Sequence, residues 1–148
     1  MSAGRTVARA ALVAVIVVAA DQIAKAIVRD EIKPGETVDV LPGIDLVHAK
    51  NTGVAFSMFS GGGPLVVIVA IVALVALIAF FATHLHRRLV WLPTGLLVGG
   101  AAGNLIDRIR LGSVTDFIKL PHWPAFNVAD IAVTVGVVTL LWVLEKKQ

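Results

Sequence analysis

The chain has 148 residues, of which 57% are apolar and only 16% are charged, and its mean hydropathy is +0.89. This composition excludes a large soluble catalytic domain and indicates an integral membrane protein. Cysteine is absent, which excludes disulfide bonds, thiolate metal sites and a cysteine nucleophile. The net charge is +3, but Lys and Arg are scattered between apolar runs without a basic face or an RNA-reading motif, so we expect no nucleic acid partner.

Four apolar runs are each long enough to cross a membrane as a helix, which takes about 20 mostly apolar residues. They cover residues 8–28, 64–82, 89–105 and 126–144. Arg5 and Arg9 precede the first run as in a cleaved signal peptide, but the run continues past Asp21 and its small-residue cleavage pattern is poor. We therefore predict an all-α integral membrane protein with four transmembrane helices, which form a single membrane domain over residues 1–148.

Two loops, residues 29–63 and 106–125, follow the first and third runs and face the same side of the membrane. In the first loop, residues 37–41 and 44–49 are β-branched or alternate in polarity, and residues 42–43 form a Pro-Gly turn pair between them. These features predict a short hairpin or small sheet. On the opposite side of the membrane, the basic residues lie in short segments next to the apolar runs, whereas in the two loops they are spread over longer segments. Basic residues in short flanks mark the cytoplasmic side. This distribution therefore favours cytoplasmic termini and an extracytoplasmic sheet.

Polar side chains gather at one end of three of the runs and in the loop that joins two of them. They form pairs at spacings of three or four residues, so each pair lies on one helix face. The set comprises Asp21 with Lys25, Asn104 with Asp107, Asn127 with Asp130, and Asp116 in the loop. Under the predicted topology they share one layer near the outer membrane surface, and ionisable residues at such a depth indicate a functional site. Helix capping and interfacial snorkelling could account for Asn127 and Asp107, but Asp21 and Asp130 lie too deep.

The available side chains limit the chemistry of this layer. Ser57, Ser60 and Ser113 lie in loops, and no membrane run contains a histidine to act as their base, so a serine mechanism is disfavoured. His84 and His86 are spaced poorly for metal ligands on one helix face. We therefore expect no metal and no cofactor. Carboxylates remain, and two of them that share a proton can activate a water and protonate a leaving amine.

Asp116 and Asp130, from a loop and a helix start, could supply such a pair. A second interpretation is a small proton-coupled membrane transporter or channel subunit, because paired carboxylates within a membrane also relay protons. Transporters of this kind usually contain repeats or broken helices. The sequence has neither, and its paired carboxylates gather at one end of the bundle, which favours a hydrolase over a proton carrier.

Four sequence blocks resemble, in order and spacing, the motifs of the bacterial lipoprotein signal peptidase family, also called signal peptidase II. The blocks are DQIAK at 21–25, NTGVAFS at 51–57, GNLIDRIRLGSVTDF at 103–117 and FNVAD at 126–130. The resemblance implies an aspartic endopeptidase of the bacterial inner membrane with an extracytoplasmic β-sheet. Such an enzyme removes the signal peptide from a diacylglyceryl-modified prolipoprotein by cutting before the lipidated cysteine.

The resemblance also implies site residues and partners. Asp116 and Asp130 are then the catalytic pair, and further motif positions shape the site or hold the substrate. These positions are Asp21, Lys25, Asn51, Gly53, Asn104, Asp107, Arg108 and Asn127. The partners implied are the lipid-modified prolipoprotein and membrane lipids, and a monomer is compatible with them. The chain departs from the family pattern at Val54, Ile106 and Ile131, none of which removes a chemically active group.

Overall fold

The computed structural model describes residues 2–53 and 62–145 of the chain. Within these residues the elements are α1 (Ala3–Glu31), β1 (Thr37–Leu41), β2 (Ile44–Asn51), α2 (Gly62–Thr83), α3 (Trp91–Leu111), β3 (Val114–Lys119) and α4 (Val128–Glu145). Each of the four predicted apolar runs corresponds to one helix, with ends that differ by a few residues. Val54, Ser57 and Ser60, which are named above from the sequence, lie outside the described residues.

Within the described residues, three helices are long and apolar enough to cross a membrane: Ala3–Glu31, Pro64–Thr83 and Val128–Glu145. The helix α3 is not among these three; it contains four glycines, and its last turn carries Arg108 and Arg110. It extends to Leu111, so the first residues of the predicted loop 106–125 are helical. The helix ends at Gly112, whose φ of 73° suits glycine and whose N–H bonds to the Arg108 carbonyl oxygen.

A three-stranded antiparallel sheet with the order β1-β2-β3 lies beside one end of the helices. The hairpin of β1 and β2 matches the prediction, and Gly43 has the positive φ of 80° that its turn requires. The prediction of a sheet confined to the first loop is wrong, because β3 comes from the segment before α4. Asp116 therefore lies on a strand, opposite Ala49 of β2, and not in a loop. After β3 the chain turns back, and Phe126 forms an isolated antiparallel bridge with Ile118 of β3. The helix α4 begins two residues later, at Val128.

Glycines on α3 allow α1 and α4 to pack closely against it. A Cβ atom on Gly95 or Gly99 would lie 2.6 Å or 2.7 Å from the Cβ of Val13 or Val17 on α1. On the side facing α4, a Cβ on Gly100 would lie 2.6 Å from the carbonyl oxygen of Ala129. Small residues at such positions bring helix backbones together in membrane proteins. The close packing holds three helices at a fixed spacing and brings their polar residues within hydrogen-bond distance.

Candidate active site

The ammonium group of Lys25 lies at the centre of the polar layer and is completely buried. Its Nζ is 2.8 Å from Asp21 Oδ2, 3.2 Å from Asp107 Oδ2 and 2.9 Å from Asn104 Oδ1. A lysine ammonium has three N–H donors, so these three acceptors satisfy it. Burial of a charge is tolerated when it is paired and fully hydrogen-bonded. The predicted pair of Asp21 and Lys25 is present, and Lys25 also joins α1 to α3.

The two carboxylates that hold Lys25 also bind backbone groups of other elements. Asp21 Oδ1 accepts a hydrogen bond of 2.9 Å from the backbone N–H of Ala129, in the first turn of α4. Asp107 Oδ2 accepts one of 2.9 Å from the backbone N–H of Thr115, near the start of β3. The first bond satisfies one of the free N–H groups at a helix N-terminus, where a negative charge is also favourable. These two side chains therefore hold the beginnings of α4 and β3.

Asp130 lies in the first turn of α4 and forms a reciprocal cap with Asn127. Asn127 Oδ1 accepts the backbone N–H of Asp130 at 2.9 Å, and Asp130 Oδ2 accepts the backbone N–H of Asn127 at 3.1 Å. This is the arrangement of a capping box, in which two side chains satisfy each other's backbone donors. The second oxygen of Asp130 accepts a 2.9 Å bond from Asn104 Nδ2. Capping thus explains part of the role of Asn127, as the sequence suggested, but not all of it.

Asp116 is buried on β3, with 3% of its surface exposed. Its Oδ1 accepts a short bond of 2.7 Å from Asn127 Nδ2, and its Oδ2 accepts one of 3.0 Å from Asn51 Nδ2. Burial raises the pKa of Asp116 above its ordinary value, and the nearby negative charge of Asp130 adds to this, while the two amide hydrogen bonds oppose it. The net effect on the pKa is upward, so Asp116 favours its protonated form more than a solvated aspartate does.

The hydrogen-bond partners of Asn104 and Asn127 determine the orientation of their side-chain amides. Asn104 Oδ1 faces the Lys25 ammonium, which can only donate, so the NH₂ group of Asn104 points at Asp130. The Oδ1 atom of Asn127 is occupied by a backbone N–H. Its NH₂ group therefore points at Asp116 and, at 3.1 Å, at Asn104 Oδ1. A continuous path of hydrogen bonds runs from the buried lysine through both amides to both carboxylates.

Three further predicted residues lie around this network. Asn51 is exposed at the end of β2, and its Oδ1 accepts the backbone N–H of Gly53 at 2.9 Å. Gly53 has a φ of 74°, which a residue with a side chain would rarely adopt. Arg108 Nη1 is 3.4 Å from the carbonyl oxygen of Asn104, and the residue lines a mostly apolar cavity of about 460 Å³ next to Thr52 and the first turns of α2.

Two further residues take part in the layer that the sequence patterns did not predict. Gln22 Nε2 lies 3.2 Å from Asp21 Oδ2, 3.0 Å from Asp107 Oδ1 and 3.1 Å from the carbonyl oxygen of Gly103. Gln22 could have been identified from the sequence, because it is a polar residue within an apolar run. Arg29 Nη1 donates to the Thr115 hydroxyl at 3.2 Å, and no spacing rule links residues so distant in the chain.

Other groups that the sequence raised lie away from this layer or show no catalytic arrangement. The rings of His84 and His86 are 6.1 Å apart, and His84 stacks on Phe80, at the opposite end of the bundle. Across residues 2–53 and 62–145, no group of three or more His, Asp or Glu residues is placed to hold a metal ion.

Comparisons with known proteins identify the family to which the chain is similar. A family model described as signal peptidase (SPase) II matches residues 13–145. A lipoprotein signal peptidase of Halothermothrix orenii is 36% identical over 139 residues, covering 91% of this chain and 96% of that protein. One from Syntrophotalea carbinolica is 40% identical over 139 residues, covering 88% of this chain and 86% of that protein.

A solved structure is also similar over nearly the whole chain. It is the structure of a bacterial membrane enzyme determined by the in meso method at 1.9 Å resolution, with a TM-score of 0.87 and 34% sequence identity over 94% of both chains. These matches do not support the transporter interpretation. The chain belongs to the signal peptidase II family, a family of aspartic peptidases.

Proposed function

We propose that this protein removes the signal peptide from a lipid-modified prolipoprotein, with Asp116 and Asp130 as its catalytic pair. One observation carries the assignment: Asn127 bonds to both carboxylates, to Asp116 through its side-chain amide and to Asp130 through its backbone N–H. The two acids come from different elements, a strand and a helix, yet one residue links them. Membership of the signal peptidase II family supports a prolipoprotein as the substrate.

The different surroundings of the two acids suggest different roles. Asp116 holds the shared proton, because burial and the charge of Asp130 raise its pKa. Asp130 is then the unprotonated partner of the pair and removes a proton from the attacking water. The water oxygen bonds to the scissile carbonyl carbon, the C–N bond then breaks, and Asp116 supplies the proton for the departing amine. No covalent acyl-enzyme is formed.

The surrounding residues support this chemistry without taking part in it. Asp21, Lys25 and Asp107 hold the beginnings of α4 and β3 in place, through the bonds to Ala129 and Thr115. The other predicted residues orient the acids or border the site from which a substrate would approach. In this group we place Asn51, Gly53, Asn104, Arg108 and Asn127.

The membrane topology is part of the same proposal. We infer a single membrane domain in which α3 is the fourth crossing, because it packs between α1 and α4, which are both long and apolar enough to span. Both termini are cytoplasmic, and the site lies near the outer face. Supporting this, Arg87 and Arg88 lie in the short connection at the end opposite the site.

Labelling of single cysteines in intact spheroplasts tests this topology, since the native chain contains none. Asp39 on β1 and Thr83 at the end of α2 are both exposed. An impermeant maleimide should label Asp39→Cys directly and label Thr83→Cys only after the membrane is opened. The reverse pattern would contradict the proposed orientation.

A cleavage assay tests the function itself. The purified protein is incubated in detergent with a synthetic prolipoprotein whose lipobox cysteine carries a diacylglyceryl group, and with the same peptide lacking the lipid. We expect release of the signal peptide from the lipidated precursor and little or none from the unmodified one. Equal cleavage of both precursors would contradict the proposed substrate class, and cleavage of neither would contradict the peptidase assignment.

A further inference from the structure

Thr115 directly precedes Asp116 and is bonded to three helical elements through three different atoms. Its backbone N–H donates to Asp107 Oδ2 on α3 at 2.9 Å. Its carbonyl oxygen lies 3.4 Å from the Asn127 amide at the start of α4. Its hydroxyl accepts a bond of 3.2 Å from Arg29 Nη1 on α1. Thr115 is buried, with 3% of its surface exposed, so water is a poor substitute for these partners.

The bond from Arg29 differs from the other two because it joins α1 to β3 through the side chain of Thr115 rather than its backbone. Arg29 is partly buried in the last turn of α1, where a positive charge is favourable. Beside it, Val28 and Ile32 pack against Phe117 of β3 in a buried apolar cluster. The contact between α1 and β3 thus combines apolar packing, which is not directional, with a polar bond, which is. That bond fixes where β3 begins relative to α1.

We propose that Arg29 is a positioning residue for Asp116, which it holds against its amide partners by fixing the Thr115 hydroxyl. The inference rests on the proposed catalytic role of Asp116. Asp116 depends on donors from two other elements, Asn127 at 2.7 Å and Asn51 at 3.0 Å. A small displacement of β3 would lengthen these bonds and admit water to the carboxyl group.

Four variants isolate the Arg29–Thr115 bond. Thr115→Val keeps the β-branched shape and removes the hydroxyl, whereas Thr115→Ser retains a hydroxyl. Arg29→Gln removes the guanidinium. Arg110→Gln is the matched control, because Arg110 is an exposed arginine in the last turn of α3. None of these residues belongs to the proposed catalytic pair. Thr115 contacts the network around Lys25 through its backbone atoms, which both Thr115 substitutions leave in place.

We expect Thr115→Val and Arg29→Gln each to lower kcat for the lipidated precursor about tenfold, the scale of one charged hydrogen bond, with little change in KM. The double variant should be no slower than either single one, because both changes break the same bond. Thr115→Ser and Arg110→Gln should stay close to wild type. Rates are referred to the folded fraction, measured by size-exclusion chromatography.

The pH profile separates positioning from simple stabilisation. Burial is the main cause of the raised pKa of Asp116, so a loosened strand that admits water lowers that pKa. The limb on which kcat falls with rising pH, where Asp116 loses its proton, should therefore move to lower pH in Thr115→Val and Arg29→Gln. A role only in stability changes the folded fraction and leaves this limb in place.

Each outcome bears on the proposal. A tenfold loss together with a displaced limb supports it. Unchanged kcat in both variants, or a loss with an unmoved limb, overturns it while leaving the catalytic assignment intact. If Thr115→Val does not fold, Arg29→Gln alone decides between these outcomes. Full activity of Asp116→Asn in the same assay would instead overturn the proposed function on which the inference rests.

Discussion

Asp21 and Ala129 are joined across the bundle by a hydrogen bond of 2.9 Å, in which a carboxylate on α1 accepts a backbone N–H in the first turn of α4. The same carboxylate is 2.8 Å from Lys25 Nζ. Because Asp130 directly follows Ala129, the position of one proposed catalytic acid depends on a side chain from the other end of the sequence. The hydrogen bonds around Lys25 therefore position the site and also compensate its buried charges.

Asp21→Ala is predicted to lower both stability and activity. It removes one of the two carboxylates that compensate the buried Lys25 ammonium, and loss of one partner from a buried pair costs about 3–5 kcal/mol. It also frees the Ala129 N–H. We expect a lower thermal unfolding midpoint in detergent and reduced cleavage by the fraction that remains folded. Asp30→Ala, at an exposed position on the same helix, is the control, and equal midpoints for the two variants would contradict this account.

Much of the fold could be predicted from local patterns, because helices that cross a membrane and tight turns leave strong signals. The apolar runs predicted four helices, the spacing of Asp21 and Lys25 predicted their contact, and Pro42-Gly43 predicted the hairpin. The strand β3 escaped prediction because its first four residues are all buried. A strand that is buried on both faces lacks the alternation of apolar and polar residues by which a strand is recognised in a sequence. The sequence of this segment therefore predicts a loop.

The connections between elements could not be predicted, because they depend on how helices pack. Nothing in the chain relates Asp21 to Ala129 or Arg29 to Thr115, which are separated by most of its length. Gln22 was visible as a polar residue in an apolar run, but its acceptors on α3 were not. The spacing of residues in the sequence shows which side chains share one face of a helix. Which residues of α3 contact that face of α1 depends on how the two helices pack.

Gly103→Ala is predicted to disturb the site through a steric contact alone. A Cβ atom at this position would lie 2.6 Å from Asp21 Oδ2, so Asp21 would have to move away from its partners. Overpacking of this kind costs about 1–3 kcal/mol, and we expect a matching loss of stability together with reduced cleavage. Gly4→Ala serves as the control, because a Cβ on this helical glycine meets nothing within 4 Å. Wild-type cleavage by Gly103→Ala would show that Asp21 has room to move without consequence.

The raised pKa of Asp116 predicts a pH dependence of stability with a definite sign. The folded state binds this proton more tightly than the unfolded state, in which the pKa is near 3.8. The stabilisation is therefore complete below the unfolded pKa and is lost as pH rises through the raised folded value. Asp116→Asn cannot ionise, so the stability of this variant relative to wild type should increase with pH across that window. Chemical unfolding of both proteins over a series of pH values measures this difference, and a flat or falling difference would contradict the assignment.

The catalytic pair is tested most directly by cleavage of the lipidated precursor with purified Asp116→Asn, Asp130→Asn and their double variant. Asparagine nearly matches the shape of aspartate but cannot transfer the proton, and Asp39→Asn, on the exposed strand β1, controls for the same exchange elsewhere. With folding verified for each variant, we predict that either catalytic change lowers kcat by about a thousandfold or more. The double variant should be little worse, because the two acids act as a unit. Retention of a substantial fraction of wild-type cleavage by either single variant would contradict the account.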